Sequence, residues 1–142
     1  MTIAALLQTK GHEVIQLSPD VSLQQAVAIL VERRIGCVPV VEGGEVIGIL
    51  SERDVVRALN GGKARVLSET VQSVMTSPAV TITPDMPVIS ALSLMTQRRI
   101  RHLPVMDEGK MTGFVSIGDL VKYRIDKIEA EAAAMRDYIQ SA

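Results

Sequence analysis

Two four-residue patterns, Ser51-Glu52-Arg53-Asp54 and Ser116-Ile117-Gly118-Asp119, set a hydroxyl three residues ahead of a carboxylate. Where such a pattern opens a helix, both side chains share one face. A carboxylate so placed accepts hydrogen bonds from both hydroxyls of a ribose diol. The serine hydroxyl and the free N–H groups of the first helical turn can hold phosphate or ribose oxygens. The same spacing also describes a capping box, which stabilises a helix without any ligand. The two roles are compatible.

Other reactive residue types fall short of a site. Cys37 sits beside an apolar run and reads as a buried structural cysteine rather than a nucleophile or redox switch. Being the only cysteine, it excludes an intrachain disulfide and a cysteine-based zinc site. His12 and His102 lack the spacing of metal ligands. Gly43-Gly44 and Gly61-Gly62 lie outside any phosphate-loop pattern and read as turns. With no nucleophile–base pair and no metal cluster, the chain reads as a non-enzyme. Lys122, Arg124 and Lys127 are balanced by Asp126, Glu129 and Glu131, the composition of a solvated helix face.

Composition narrows the classes further. Of 142 residues, 47% are hydrophobic but only 2% aromatic, so the core is aliphatic and offers no base-stacking platforms. A net charge of −1 gives no footprint for nucleic acid or an anionic membrane. No apolar run approaches the roughly 20 residues of a membrane span. The unpaired cysteine suits a reducing compartment. The expectation is a soluble, cytoplasmic protein without nucleic-acid or membrane partners.

The elements that position the two patterns are themselves duplicated. Pro19-Asp20 recurs 65 residues later as Pro84-Asp85. The same offset carries Arg33-Arg34-Ile35 to Arg98-Arg99-Ile100, Pro39-Val40 to Pro104-Val105, Gly48 to Gly113, and Ser51 and Asp54 to Ser116 and Asp119. Each copy reads as β-α-β-β-α. Strands are expected at Val14–Leu17 and Val80–Ile82, each ending at a Pro-Asp turn. Amphipathic helices follow, with stripes Leu23/Ala26/Val27/Leu30 and Val88/Ala91/Leu92/Met95. Hairpins turn at Glu42–Glu45 and Asp107–Lys110. Boundaries are expected at 8–60 for repeat one, 61–75 for the linker, 76–125 for repeat two and 126–142 for a helical extension. Along that last helix, Ile125, Ile128, Ala132, Met135 and Ile139 form a stripe that needs a cover. A homodimer is the expected answer.

These residues resemble a pair of CBS domains, the family named after cystathionine β-synthase. Gly-Ile-Leu-Ser-Glu-Arg-Asp at 48–54 and Gly-Phe-Val-Ser-Ile-Gly-Asp at 113–119 match the family's Gly-x-x-Ser/Thr-x-x-Asp element. Val74-Met75-Thr76 and Arg101-His102-Leu103-Pro104-Val105 match as well. The likeness covers nearly the whole chain and is closest to small stand-alone bacterial CBS pairs that carry no catalytic domain. It implies an α+β fold, two β-α-β-β-α repeats packed about a pseudo-twofold axis, with a C-terminal helix added. It also implies two clefts between the repeats that take AMP, ADP, ATP, NAD(H) or S-adenosylmethionine, and a partner protein whose activity responds.

The resemblance further implies that each cleft is shared across the repeats. Ser51 and Asp54 would face Thr76, Val80, Ile100, Arg101, His102 and Pro104 in the first. Ser116 and Asp119 would face Gly11, Ile15, Ile35, Gly36, Cys37 and Pro39 in the second. Arg101 and His102 in the first cleft stand where Gly36 and Cys37 stand in the second, so phosphate is expected to bind more tightly in the first. Arg53, opposite Gly118 in the repeat, is a second phosphate candidate. The competing expectation is an interaction module whose clefts stay empty.

Overall fold

The computed structural model describes residues 1–141. Ala142, the end of the expected extension, lies outside the described residues. In chain order the elements are α1 (Ile3–Lys10), α2 (Leu23–Arg33), β1 (Cys37–Glu42), β2 (Glu45–Ser51), α3 (Glu52–Asn60), α4 (Val71–Val74), α5 (Val88–Arg98), β3 (His102–Asp107), β4 (Lys110–Ser116) and α6 (Ile117–Ser141). A single 3₁₀ turn, Val66–Ser68, precedes α4. The architecture is α+β, with two antiparallel hairpins, β1–β2 and β3–β4.

The duplication extends to fine geometry. Cys37 pairs with Ser51 and His102 with Ser116, and both hairpins carry a register shift, between Val40 and Val41 and between Val105 and Met106. Arg34 and Arg99 close α2 and α5 in the left-handed conformation, at φ 54° and 55°. Non-glycine residues rarely adopt it, yet both copies do.

The strands expected at Val14–Leu17 and Val80–Ile82 shrink to one parallel bridge each, Leu17 with Val40 and Ile82 with Val105. The reason lies in Pro39 and Pro104. Leu17 N–H donates to the Pro39 carbonyl and Val41 N–H donates to Leu17; Ile82 does the same with Pro104 and Met106. The next ladder bond would need an N–H from Pro39 or Pro104, which proline lacks.

The two cores are completed crosswise. Val38, Val40, Leu50, Leu23, Ala26 and Leu30 of repeat one pack with Val66 and Val71 from the segment leading into repeat two. Leu103, Val105, Val115, Val88, Ala91 and Met95 of repeat two pack with Ile3, Leu6 and Leu7 of α1, which leads into repeat one. Each Val, Leu, Ile or Met among them contributes roughly 1.5–3 kcal/mol when fully buried. Main-chain bonds fix the exchange: Ile3 N–H donates to Met86, Ala4 to Pro84, Val71 to Val21 and Gln72 to Pro19.

Two equivalent glycines admit the crossing segments. A Cβ on Gly48 would lie 2.6 Å from Met75 Sδ and 2.9 Å from the Thr76 carbonyl oxygen. One on Gly113 would lie 2.6 Å from a Leu7 methyl. The last helix, α6, buries Leu120 and packs Ile117 and Tyr123 against the second core. Beyond them Ile125, Ile128, Met135 and Ile139 are exposed. Among the described residues no helix is long and apolar enough to cross a membrane.

Candidate functional site

A cavity of about 630 Å³ opens between the repeats, within the range of small-molecule sites. Repeat one contributes Gly36, Cys37, Ile49, Ser51 at the end of β2, and Glu52, Arg53, Asp54 and Arg57 of α3. The other wall is Thr76, the Pro78–Val80 segment, and Arg98 to His102.

Among the described residues, Asp54 is the one buried charged side chain, 3% exposed. Its Oδ2 accepts from Ser51 N–H at 2.9 Å and from the Ser51 hydroxyl at 3.1 Å. The Ser51 hydroxyl in turn accepts from Asp54 N–H at 3.3 Å, closing a capping box. Its Oδ1 accepts from the Thr76 hydroxyl at 2.7 Å, across the repeat boundary, and from Arg57 at 3.5 Å. A carboxylate, a hydroxyl and several guanidinium groups thus meet on one concave surface. Such a surface suits a ligand that combines a diol with anionic oxygens.

Asp119 answers its environment differently. It also forms a capping box, accepting from Ser116 N–H at 2.8 Å while its own N–H donates to the Ser116 hydroxyl at 3.1 Å. Its cross-repeat partner is the Lys10 ammonium, 2.6 Å from Oδ2. Lys10 also donates to the Phe114 carbonyl. Burial pushes the Asp119 carboxyl up, but the Lys10 hydrogen bond and charge, with Ser116, outweigh it and hold the group below its ordinary value.

Two other groups of the lining, Cys37 and His102, are also shifted. Burial pushes the Cys37 thiol up to about 12, the Asp54 charge adds to the effect, and the Val38 N–H opposes it. The thiol therefore stays protonated and unreactive. Burial lowers His102; Lys10 and Arg101 press the same way, against Asp119 and Glu52. The imidazole stacks on Phe114, with ring centroids 5.6 Å apart and planes 18° from parallel.

Of the residues expected in the first cleft, Ser51, Arg53, Asp54, Thr76, Val80, Ile100, Arg101 and His102 line this cavity. Pro104 does not; it is buried in β3, where its carbonyl accepts from Ile82. The expectation for Gly36 and Cys37 needs correction. They were placed opposite Asp119, but they line the cavity of Asp54. The hairpin register sets Cys37 across from Ser51 of its own repeat, and Gly36 accepts from Glu52 N–H at 3.0 Å. Ser116, Asp119, Gly11, Ile15, Ile35 and Pro39 lie off this cavity. Pro39 is buried and bonded to Leu17, Ile35 packs against the first core, and Gly11 ends α1 at φ 102°.

Sequence reasoning missed Glu52, Arg57, Arg98 and Arg99 as cavity residues, and Lys10 as the partner of Asp119. Arg57 was within reach, since it stands three residues beyond Asp54 on the same helical face. Arg98 and Arg99 stood out in the sequence only as the repeat of Arg33 and Arg34. Nothing local marks Lys10.

A family model described as CBS domain matches residues 9–61 and 71–126. The CBS domain-containing protein YhcV of Bacillus subtilis is 30% identical over 92% of this chain and 93% of its own length. A CBS-domain protein of Agrobacterium tumefaciens, ATU1752, superposes with a TM-score of 0.82 at 38% identity, covering 87% of this chain and 92% of that one. The CBS domain pair of protein MJ0100, solved in complex with 5′-methylthioadenosine and S-adenosyl-L-methionine, superposes with a TM-score of 0.76 at 25% identity, covering 87% and 98%.

Proposed function

The chain belongs to the CBS-domain family, and on that premise we propose that it is a regulatory sensor without catalytic activity of its own. It binds an adenine nucleotide, one of AMP, ADP, ATP or NAD(H), in the cavity between the repeats and passes its occupancy to a partner protein. The observation that carries this reading is the concave meeting of Asp54 and Thr76 with Arg53 and Arg101. The carboxylate and hydroxyl suit ribose, and guanidinium groups suit phosphate. The adenosine compounds in the MJ0100 domain pair, which carry no phosphate, support only the adenosine half of this reading. The apolar faces of Ile49, Val80 and Ile100 line the same cavity, and they suit an adenine ring. A homodimer built on the exposed stripe of α6 belongs to the same proposal.

One observation favours the second reading, an interaction module with an empty cavity. Asp54 is already satisfied by Ser51, Thr76 and Arg57, so the fold needs no ligand to keep its carboxylate buried. Thermal melts decide between the two. A ligand that binds only the folded state stabilises it by roughly 2.7 kcal/mol at a hundredfold excess over its dissociation constant. Protein shown by native mass spectrometry to be ligand-free is melted with AMP, ADP, ATP, NADH and S-adenosylmethionine. A rise with any nucleotide supports the sensor; no rise with any of them leaves the empty module.

A further inference from the structure

We propose that this cavity selects ligands carrying two or more linked phosphates over monophosphates and over cationic adenosine compounds. The proposal deepens the sensor reading by naming the anion.

Five arginines, Arg53, Arg57, Arg98, Arg99 and Arg101, line the cavity against two carboxylates, Glu52 and Asp54. Set against those two carboxylates, the five guanidinium groups leave an excess of three positive charges along the lining. Arg57 makes only a long contact to Asp54, at 3.5 Å, with a side chain 67% exposed. Among the described residues, Arg53, Arg98, Arg99 and Arg101 form no ion pair with any carboxylate.

Helix ending explains part of this cluster but not all of it. Arg33 and Arg34 close α2 as Arg98 and Arg99 close α5, yet neither lines the cavity. Arg53 and Arg101 have no such role, and their counterparts in the repeat are Gly118 and Gly36. Positive charge is therefore gathered on one side of the pseudo-symmetric pair. A single phosphate presents too few oxygens to engage four or five guanidinium forks, each of which can grip two oxygens. A pyrophosphate or triphosphate chain engages more of them. A sulfonium ligand would add a further positive charge to the same wall.

The test is calorimetry on the full chain with adenosine, AMP, ADP, ATP, NAD and inorganic tripolyphosphate. The variants are Arg98→Gln with Arg101→Gln, and Arg33→Gln as a control outside the cavity. ADP and ATP are expected to bind at least about tenfold more tightly than AMP. The double variant is expected to close that gap by losing much more affinity for ADP and ATP than for AMP, at a wild-type melting temperature, and Arg33→Gln to preserve it. Tight NAD binding with weak ADP binding assigns the linked phosphates to a dinucleotide; the reverse assigns them to a mononucleotide. If AMP binds as tightly as ADP, ATP and NAD, or the double variant keeps the gap, the proposal is overturned while the sensor reading stands. If only tripolyphosphate binds, the anion assignment stands and the adenine reading falls. If none of the compounds binds, both fall.

Discussion

Asp54→Ala is expected to cost the ligand-free fold about 2.5–4 kcal/mol, and Asp119→Ala about 1–2 kcal/mol, although the two residues are equivalent in the repeat. The difference comes from their partners. Each loses a capping box, worth about 1 kcal/mol. Asp54 also loses a charge-assisted bond from the Thr76 hydroxyl at 2.7 Å, roughly 1.5–3 kcal/mol at a buried site. The Arg57 contact, long and exposed, adds little. Asp119 has a side chain 29% exposed, and its Lys10 partner is 36% exposed, so that ion pair contributes about 0–1 kcal/mol. Urea unfolding on each variant measures the loss, with an unchanged m-value showing that the unfolded state is comparable. At about 2–4 °C per kcal/mol, Asp54→Ala melts roughly 10 °C below the wild type. Asp54→Asn keeps an oxygen for the Ser51 N–H and is expected to fall between. A loss at Asp119 equal to or larger than that at Asp54 would refute the assignment of the cost to burial and to Thr76.

Lys10→Met is expected to lower stability at pH 7 but to match the wild type at low pH. The folded Asp119 carboxyl lies below its ordinary 3.8, so its contribution is present above that value and fades as pH falls through the folded one; a pH-independent difference would contradict this. Cys37, pushed up to about 12, is expected to react with a thiol reagent at pH 8 about a hundredfold or more slowly in the native protein than in urea, and equal rates would remove the buried-thiol assignment. Gly48→Ala is expected to destabilise more than Gly113→Ala. Its Cβ meets the Thr76 backbone carbonyl, whereas that of Gly113 meets only the end of Leu7, and melts of the two variants compare them. Light scattering is expected to show a dimer for the full chain and a weaker one for a chain ending at Lys127; equal association would exclude α6 from the contact.

What the sequence made legible was what repeats or alternates locally. The offset between Ser51-x-x-Asp54 and Ser116-x-x-Asp119, the stripes of α2 and α5, and the hairpins all rest on spacing within a few residues. Cross-repeat placement was less legible. The resemblance brought Thr76 to Asp54, as the geometry has it, but it sent Gly36 and Cys37 to the wrong wall. Which cleft a strand end opens onto depends on how the two repeats pack, and spacing within one repeat does not reveal that. Lys10 was invisible for a different reason. It sits 109 residues from Asp119, and its role depends on where α1 packs. That packing rests on Ile3, Leu6 and Leu7, which are buried in the core of the second repeat, far from them in sequence.

The crosswise closing of the cores bears on how the molecule behaves when cut. A break in the Gly61–Arg65 stretch would leave the first fragment carrying the cover of the second core, and the second fragment carrying Val66 and Val71, the cover of the first. Neither piece could shield its own aliphatic residues, yet together they would supply every missing surface. Such a nicked protein should stay assembled, and its halves made separately should recover their fold only on mixing. A lone unit would have to lend its leading segment to a second copy, at a rate set by concentration. Joining two units in one chain makes that exchange intramolecular, at a high effective concentration.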